Sequence, residues 1–276
     1  MNNLEQYIAA PLNRSDSDDG RYVKFVELAN NDYATFLNFK RHADYRNILE
    51  HVSPEQGLEY LKIILSHSPE FLSQLEEFRT NDLIGNPIKA SYGNHIGDFS
   101  PTTLRYMKVA SDIKRLFGNL ENINIVEIGC GYGGQLLILD KTHKFNTYTL
   151  FDLLPVLQLT SKYLESHILR GAYKTTTLNQ FDSTSKAPFD LAISNYAFSE
   201  LPSHIQIRYI EKVLSKSKRG YLTMNSGKFE GNYNGSTNKL TINQLRDLLP
   251  PFNLYDEEPL TSQHNYVICW GQDNNH

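Results

Sequence analysis

The feature of this 276-residue chain that most constrains its fold is a glycine-rich turn directly after an apolar segment. Residues 122–134 read NINIVEIGCGYGG, and the helical pattern QLLILDK follows almost at once. Glycines are needed where a chain turns sharply out of a strand and where a ligand touches the backbone. Because dinucleotide-binding folds share the G-x-G-x-x-G spacing, the turn alone predicts a nucleotide-type ligand without selecting one.

From residue 123 onward, strand and helix patterns alternate along the chain. Strands are predicted at 123–128, 148–152, 174–178, 191–194, 220–225, 253–257 and 266–270, and helices at 133–142, 155–168, 203–216 and 241–249. Such alternation is typical of a parallel sheet covered by helices on both faces. Only a short loop joins the last two strands. We therefore predict an α/β, Rossmann-like fold with a mostly parallel seven-stranded sheet whose last strand is antiparallel.

Three regions precede or compose this fold. Residues 1–20 form a polar, flexible lead-in, 21–101 a helical cap with an active-site loop, and 102–276 the nucleotide-binding core. In the cap, Ser53 and Pro54 indicate a helix start, and the following helix is expected to bury Leu58, Leu61, Ile64 and Leu65. The stretch 79–102 is rich in Gly, Asn, Asp, Ser and Pro, and a loop of this length inside a compact domain is usually functional.

Composition narrows the class of partner. The formal net charge is −4, which supplies no general basic field for nucleic acid. No apolar run approaches the roughly 20 residues of a membrane span, and the N-terminus lacks the pattern of a signal peptide. The two cysteines, Cys130 and Cys269, cannot build a disulfide framework. We expect a cytoplasmic protein without a membrane span and without a nucleic-acid partner.

Three carboxylates near predicted strand ends restrict the nucleotide. Glu127 precedes the first glycine and suits an amine-bearing or cationic ligand better than a pyrophosphate. Asp152 is placed to accept both ribose hydroxyls, and Asp182 to accept an adenine amino group. Together they favour a nucleoside with a sulfonium and an amino-acid tail. The alternatives are a solvated carboxylate at Glu127, a helix cap at Asp152 and an ordinary turn residue at Asp182.

Five segments carry a family resemblance: NDLIGNP, SPTTLRY, EIGCGYGGQ, DLLPVLQL and ISNYAFSEL. They resemble the class I methyltransferases that use S-adenosylmethionine (SAM), and more narrowly the sugar O-methyltransferases found with polysaccharide-assembly genes. The likeness covers roughly residues 40–270. It implies SAM as cofactor, S-adenosylhomocysteine (SAH) as product, a glycan or glycoside acceptor such as a rhamnose-type deoxyhexose, and an association or fusion with glycosyltransferases.

Fold and resemblance together predict the binding residues, because ligands of an open parallel sheet bind beyond the carboxyl ends of its strands. The loops after residues 194, 225 and 257, with segment 79–102, are expected to face the methyl group. The predicted cofactor-binding residues are Glu127, Gly129, Gly131, Gly133, Asp152, Leu153, Asp182, Asn195 and Tyr106. The predicted substrate-binding residues are Tyr92, Asp98, Tyr196, Arg105 and Tyr233.

Methyl transfer to an alcohol needs an acceptor for the hydroxyl proton. His95 is the first candidate, with Asp98 to orient its ring, and His264 and Glu200 are the next. Surface or structural roles for the histidines, and a helix-capping role for Glu200, remain open. No paired acidic signature follows the fourth predicted strand, so catalysis without a metal is expected.

Other functions predict other motifs. An NAD(P)-dependent oxidoreductase should show a Tyr-x-x-x-Lys or comparable set, which the downstream region lacks. An amino-group methyltransferase should carry Asn-Pro-Pro-Tyr after the fourth strand, where Asn195-Tyr196-Ala197-Phe198 stands instead. A methyltransferase for a non-sugar small molecule and a binding module without catalysis remain as alternatives.

Overall fold

Short helices make up the first part of the chain in the computed structural model, which describes residues 20–181, 189–228 and 238–272. They are α1 (Arg21–Asn31), α2 (Tyr33–Phe36), α3 (Ala43–Arg46), α4 (Pro54–His67) and α5 (Leu75–Arg79), with 3-10 turns at Phe39–Arg41, Pro69–Gln74 and Thr80–Asp82. The predicted lead-in, apart from Gly20, lies outside the described residues.

Helix α4 begins as predicted but buries a different face. The Ser53 hydroxyl accepts a hydrogen bond from the Gln56 backbone N–H at 3.2 Å, and the Gln56 side-chain oxygen accepts one from the Ser53 N–H at 3.0 Å. This reciprocal pair satisfies two amides at the helix start. The buried residues are Gly57, Tyr60, Leu61 and Ile64, whereas the predicted core residues Leu58 and Leu65 are exposed. The prediction missed this stripe because it counted aliphatic side chains alone, and the stripe is centred on a glycine and a tyrosine.

The larger sheet has seven strands, which confirms the predicted fold. They are β3 (Glu121–Ile128), β4 (Lys144–Phe151), β5 (Ala172–Thr176), β6 (Leu191–Asn195), β7 (Arg219–Met224), β8 (Asn253–Asp256) and β9 (Tyr266–Trp270). The order across the sheet is β5-β4-β3-β6-β7-β9-β8, and β9 alone runs antiparallel to the other six strands. Strand β5 begins two residues earlier than predicted. It is an edge strand without a fully buried residue, so no apolar pattern marks its limits.

Helices cover both faces of this sheet. They are α6 (Pro101–Phe117), α7 (Gly134–Thr142), α8 (Leu154–Leu164), α9 (Ala197–Glu200), α10 (Ser203–Lys212) and α11 (Ile242–Leu248), with a 3-10 turn at Leu214–Lys216. On one face, α6, α7 and α8 share a continuous apolar core with the N-terminal helices. On the other face, α10 and α11 pack over β6 and β7. The N-terminal helices therefore extend one of the two cores.

Segment 79–102, predicted as a functional loop, is anchored to the start of α6. It contains a two-stranded hairpin, β1 (Ala90–Ser91) and β2 (Asp98–Phe99). The Asp82 carboxylate accepts hydrogen bonds from the Ser100 backbone N–H at 2.7 Å and from the Thr103 hydroxyl at 2.6 Å. The polar side chain of Asp82 is therefore bonded within the protein and does not face a ligand.

Two further observations concern the described residues as a whole. Cys130 and Cys269 are both buried and carry free thiols. None of the helices in the described part of the chain is long and apolar enough to cross a bilayer.

Candidate active site

A cavity of about 1130 Å³ opens beyond the carboxyl ends of the central strands. Gly129 and Gly131 follow β3, Asp152 follows β4 and Asn195 ends β6, and all four line the cavity. After β3, the chain adds β4 and β5 toward one edge of the sheet. It then returns to place β6 on the opposite side of β3. Ligands of open α/β sheets bind at such a reversal of strand order.

The glycine turn is closely approached by two other segments. Gly129 has φ +74°, and a Cβ added there would lie 2.0 Å from the Cβ of Ala197. A Cβ added at Gly131, at φ +53°, would lie 3.1 Å from a methyl of Leu49. Gly133 lies off the cavity, where a Cβ would meet Thr160 and Leu164 of α8. The first two glycines thus shape the cavity wall, and Gly133 permits helix packing.

Asp152 combines a structural role with free capacity for a ligand. One of its oxygens accepts a hydrogen bond from the Gly131 N–H at 3.0 Å, and the other accepts one from the Leu153 N–H at 2.8 Å. An ionised carboxylate has about four lone-pair sites, so these two bonds leave acceptor capacity on the carboxylate. Two neighbouring hydroxyls match this arrangement. Burial raises the pKa of Asp152 to about 6, against which its backbone hydrogen bonds act. Leu153 also lines the cavity.

Glu127 does not line the cavity. Its carboxyl group is buried and accepts a hydrogen bond from the Tyr148 hydroxyl at 2.8 Å. Burial raises the pKa of this carboxyl to about 8. The structure thus gives Glu127 a hydrogen-bond partner on β4.

Two buried polar atoms on the cavity wall have unmet hydrogen-bonding capacity. The Asn195 amide donates to the Gln135 side chain at 3.3 Å, but the Asn195 oxygen has no partner within the described ranges. Arg105 donates through one terminal nitrogen to the Leu49 carbonyl at 3.3 Å, and its Nε has no described partner. Buried polar atoms of this kind are rare without a ligand or water. Tyr106, predicted beside them, packs its ring on Tyr132 and does not line the cavity.

Tyr196 lines the cavity immediately after β6, with an unusual backbone. Its φ is +68°, a region that non-glycine residues adopt at a cost of order 1–3 kcal/mol and that clusters at functional sites. Its hydroxyl donates to Glu257, which is buried. Glu257 also accepts from the Thr261 N–H at 3.0 Å and from the Asn265 amide at 2.9 Å. Glu257 therefore holds three cavity-lining residues in place.

Of the three predicted proton acceptors, only Glu200 lines the cavity. It ends α9 and accepts a hydrogen bond from the Asn225 amide at 2.9 Å. It does not cap α10, because no side-chain cap bond forms at the start of that helix. His264 is half-buried beside Gln263, off the cavity wall, although Ser262 and Asn265 on either side of it are part of that wall.

Segment 79–102 supplies no residue to the cavity, contrary to the prediction. His95 and Asp98 are exposed in the hairpin, and no described hydrogen bond joins them. Tyr92 packs against Gly57 of α4, where a Cβ would lie 2.1 Å from its hydroxyl. The physical reason is the anchoring of the segment on α6 through Asp82. Asp182 and Tyr233, the two remaining predicted residues, lie outside the described residues.

Residues 48–60 take the place expected of that segment. The cavity-lining residues that the sequence analysis missed include His51, Gln56, Tyr60 and Tyr209. The helical spacing of Tyr60 was visible in the sequence, but nothing there indicated that the first turns of α4 would line a cavity. His51 lies in a short connection whose pattern carries no signal. No group of three or more His, Cys, Asp or Glu side chains suited to a metal occurs in the described ranges.

Comparison with known proteins adds the chemistry. Residues 103–226 match the family model of a methyltransferase domain. This match supports SAM-dependent methyl transfer by the matched part of the chain. The cavity wall fits SAM through the Asp152 carboxylate, the unpartnered Asn195 oxygen and the glycine turn that lines the cavity. When bound, SAM supplies an electrophilic methyl group on a sulfonium. No curated protein matches the sequence.

Solved structures with similar folds are distant in sequence. A SAM-dependent methyltransferase from Clostridium acetobutylicum is 11% identical over 60% of this chain and 88% of that one, with a TM-score of 0.42. An rRNA methylase from Streptococcus thermophilus is 19% identical over 60% and 95%, with a TM-score of 0.42. Magnesium protoporphyrin IX methyltransferase from Synechocystis, with bound SAM, is 12% identical over 77% and 94%, also at 0.42.

The raised pKa of Asp152 predicts how cofactor affinity depends on pH. We propose that the ribose hydroxyls donate to the ionised carboxylate, so that protonation below about pH 6 removes acceptor capacity. We expect the Kd for SAH to be flat at neutral pH and to rise about tenfold per pH unit below about pH 6. Isothermal titration between about pH 5 and 8 measures this. The Asp152→Asn protein, which cannot titrate there, should show no such slope, and an equal slope in both proteins would contradict the assignment.

Proposed function

We propose that the chain is an O-methyltransferase that transfers the methyl group of SAM to a sugar hydroxyl of a glycan or glycoside. The observation that carries the proposal is the wall of the cavity beyond Asn195. It presents neutral hydrogen-bonding side chains and two tyrosine rings, namely Gln56, Tyr60, Tyr196, Asn225, Thr261 and Asn265. Amides and hydroxyls both donate and accept, as sugar hydroxyls require, and tyrosine faces pack on the apolar side of a pyranose.

The size of the cavity supports a second ligand beside the cofactor. Sites for one small ligand usually measure roughly 300–1000 Å³, and this cavity reaches about 1130 Å³. Asp152 and the glycine turn belong to the nucleoside half. Tyr196, Thr261 and Asn265 lie in the other half, where the shared contact with Glu257 limits their motion. Positioning of this kind, with exclusion of water, lowers the barrier of an in-line methyl transfer.

The acceptor class is tested by methyl transfer itself. We expect purified protein with SAM to add one methyl group to at least one of a set of rhamnose-, fucose- and hexose-terminated glycosides, detected by mass spectrometry. The Asp152→Ala protein serves as the negative control. Transfer only to a protein, an RNA or a non-sugar metabolite would refute the sugar proposal while leaving the methyltransferase assignment intact. Heat of binding with NAD and none with SAH would favour an oxidoreductase.

The resemblance to glycan-modifying enzymes also suggests a partner. A glycosyltransferase that builds the acceptor would supply the terminal sugar, either as a separate protein or in the same polypeptide. Co-purification of methyl-transfer and glycosyl-transfer activities from the native source tests this, and complete separation without loss of activity argues against an obligate partner.

A further inference from the structure

We infer that His51 is the proton acceptor for the hydroxyl that is methylated, an inference that rests on the proposed O-methylation. His51 lies in the connection between α3 and α4 and lines the cavity. Two residues earlier, Leu49 packs over the glycine turn, within 3.1 Å of the position of a Cβ on Gly131. The Arg105 guanidinium donates to the Leu49 carbonyl at 3.3 Å. This connection is therefore held across the cofactor turn.

The state of the His51 ring suits a proton acceptor. A neutral imidazole carries a hydrogen on one ring nitrogen and accepts at the other. His51 lines the cavity, so its ring can reach a ligand bound there. Desolvation and the positive charge of Arg105 lower the pKa of His51 to about 4, which keeps the ring unprotonated at neutral pH.

The other titratable side chains on or near the wall are less suitably placed. His204 belongs to α10 with Ile205 and Tyr209, and the Tyr209 ring packs on Phe151 at 5.7 Å, directly before Asp152. That is the nucleoside end of the cavity. Glu200 is engaged by Asn225, and His95 and His264 lie off the wall. Among the described residues, His51 combines access to the cavity with proximity to Arg105 and the glycine turn.

The proton transfer balances with the established cofactor. The hydroxyl O–H bond breaks, and the proton bonds to the unprotonated ring nitrogen of His51. The oxygen forms a bond to the methyl carbon as the carbon–sulfur bond breaks, which leaves a neutral thioether. The imidazolium then releases its proton to water, a step that the nearby Arg105 charge favours.

Two variants test the role, with three readouts. His51→Ala and His51→Gln should lower the rate of methyl transfer by about 10²-fold or more, as removal of a general base does. Their Kd for SAH and melting temperature should stay within a few-fold and a few degrees of the wild type. Added imidazole should restore part of the activity of His51→Ala and none of that of His51→Gln, whose side chain fills the space. His95→Ala is the matched control and should keep wild-type activity.

The outcomes separate this inference from the sugar proposal. Wild-type turnover in both His51 variants, or a reduced rate that imidazole does not restore in His51→Ala, overturns the role of His51. If the wild type methylates a non-sugar alcohol instead of a glycoside, the sugar proposal fails, and the same variants are compared on that alcohol. Transfer exclusively to nitrogen or sulfur overturns both. An independent readout is the ¹⁵N NMR spectrum of the histidine rings: a His51 ring protonated on both nitrogens at neutral pH also overturns the role.

Discussion

Replacing Asp152 by Ala is expected to raise the Kd for SAH by about 10²- to 10³-fold, which corresponds to roughly 3–4 kcal/mol. The physical reason is the loss of two charge-assisted hydrogen bonds to neighbouring hydroxyls, for which the free lone pairs of this carboxylate are suited. The side chain also holds the backbone of Gly131 and Leu153, so the variant loosens the glycine turn. Asp152→Asn keeps the size and one acceptor oxygen, and should show a smaller loss.

Isothermal titration with SAH measures both variants, and a third protein controls for charge. Asp98→Ala removes a carboxylate from the exposed hairpin and should leave the Kd within about twofold of the wild type, because Asp98 lies off the cavity. Equal losses in Asp98→Ala and Asp152→Ala would point to general electrostatics. An unchanged Kd in Asp152→Ala would remove this residue as a ribose ligand.

The sheet and the floor of the site were predictable because both depend on short-range patterns. Alternating strand and helix patterns indicate a parallel sheet, and in such a sheet the residues after each strand meet at one edge. Gly129, Asp152 and Asn195 therefore converge on one cavity although they are far apart in the chain. The antiparallel β9 was equally visible, since a short connection leaves no room for a crossover.

The walls of the site were not predictable because they depend on how loops pack. Segment 79–102 has the composition of a functional loop, but Asp82 anchors it to the start of α6. The connection that carries His51 has no unusual composition, and contacts of Leu49 and Arg105 bring it over the glycine turn. Neither outcome follows from residues near in sequence.

The direction of a side chain at a strand end is a further point that composition leaves open. Glu127 was predicted to face the ligand from its position two residues before Gly129. In the structure, Glu127 points to the same side of β3 as Ile125, which belongs to the core shared with the N-terminal helices. On that side Glu127 accepts its hydrogen bond from Tyr148. Ile128, which points to the opposite side, is the residue of this strand that lines the cavity. A one-residue difference in a strand reverses the side on which a carboxylate lies.

Gly129→Ala is expected to cost roughly 2–5 kcal/mol of unfolding free energy and to abolish detectable SAH binding. Two effects add: the φ of +74° is strained for alanine, and the new Cβ would lie 2.0 Å from the Cβ of Ala197. That neighbour is the first residue of α9, so the clash cannot be relieved by rotating a flexible side chain. Gly93→Ala separates the two effects, because Gly93 has φ +89° and nothing within 4 Å of the added Cβ.

A double-mutant cycle isolates the contact between the two segments. Ala197→Gly removes the opposing Cβ, so the clash is relieved in the Gly129→Ala/Ala197→Gly protein. The remaining loss of unfolding free energy should be near that of Gly93→Ala, about 1–2 kcal/mol. Urea unfolding of the four proteins gives the coupling energy, and SAH titration shows whether binding returns with it. An additive cycle would mean that α9 does not press on the glycine turn in solution. A strongly coupled cycle would establish that the Tyr196-bearing segment and the cofactor turn form one rigid wall, on which the alignment of acceptor and methyl group depends.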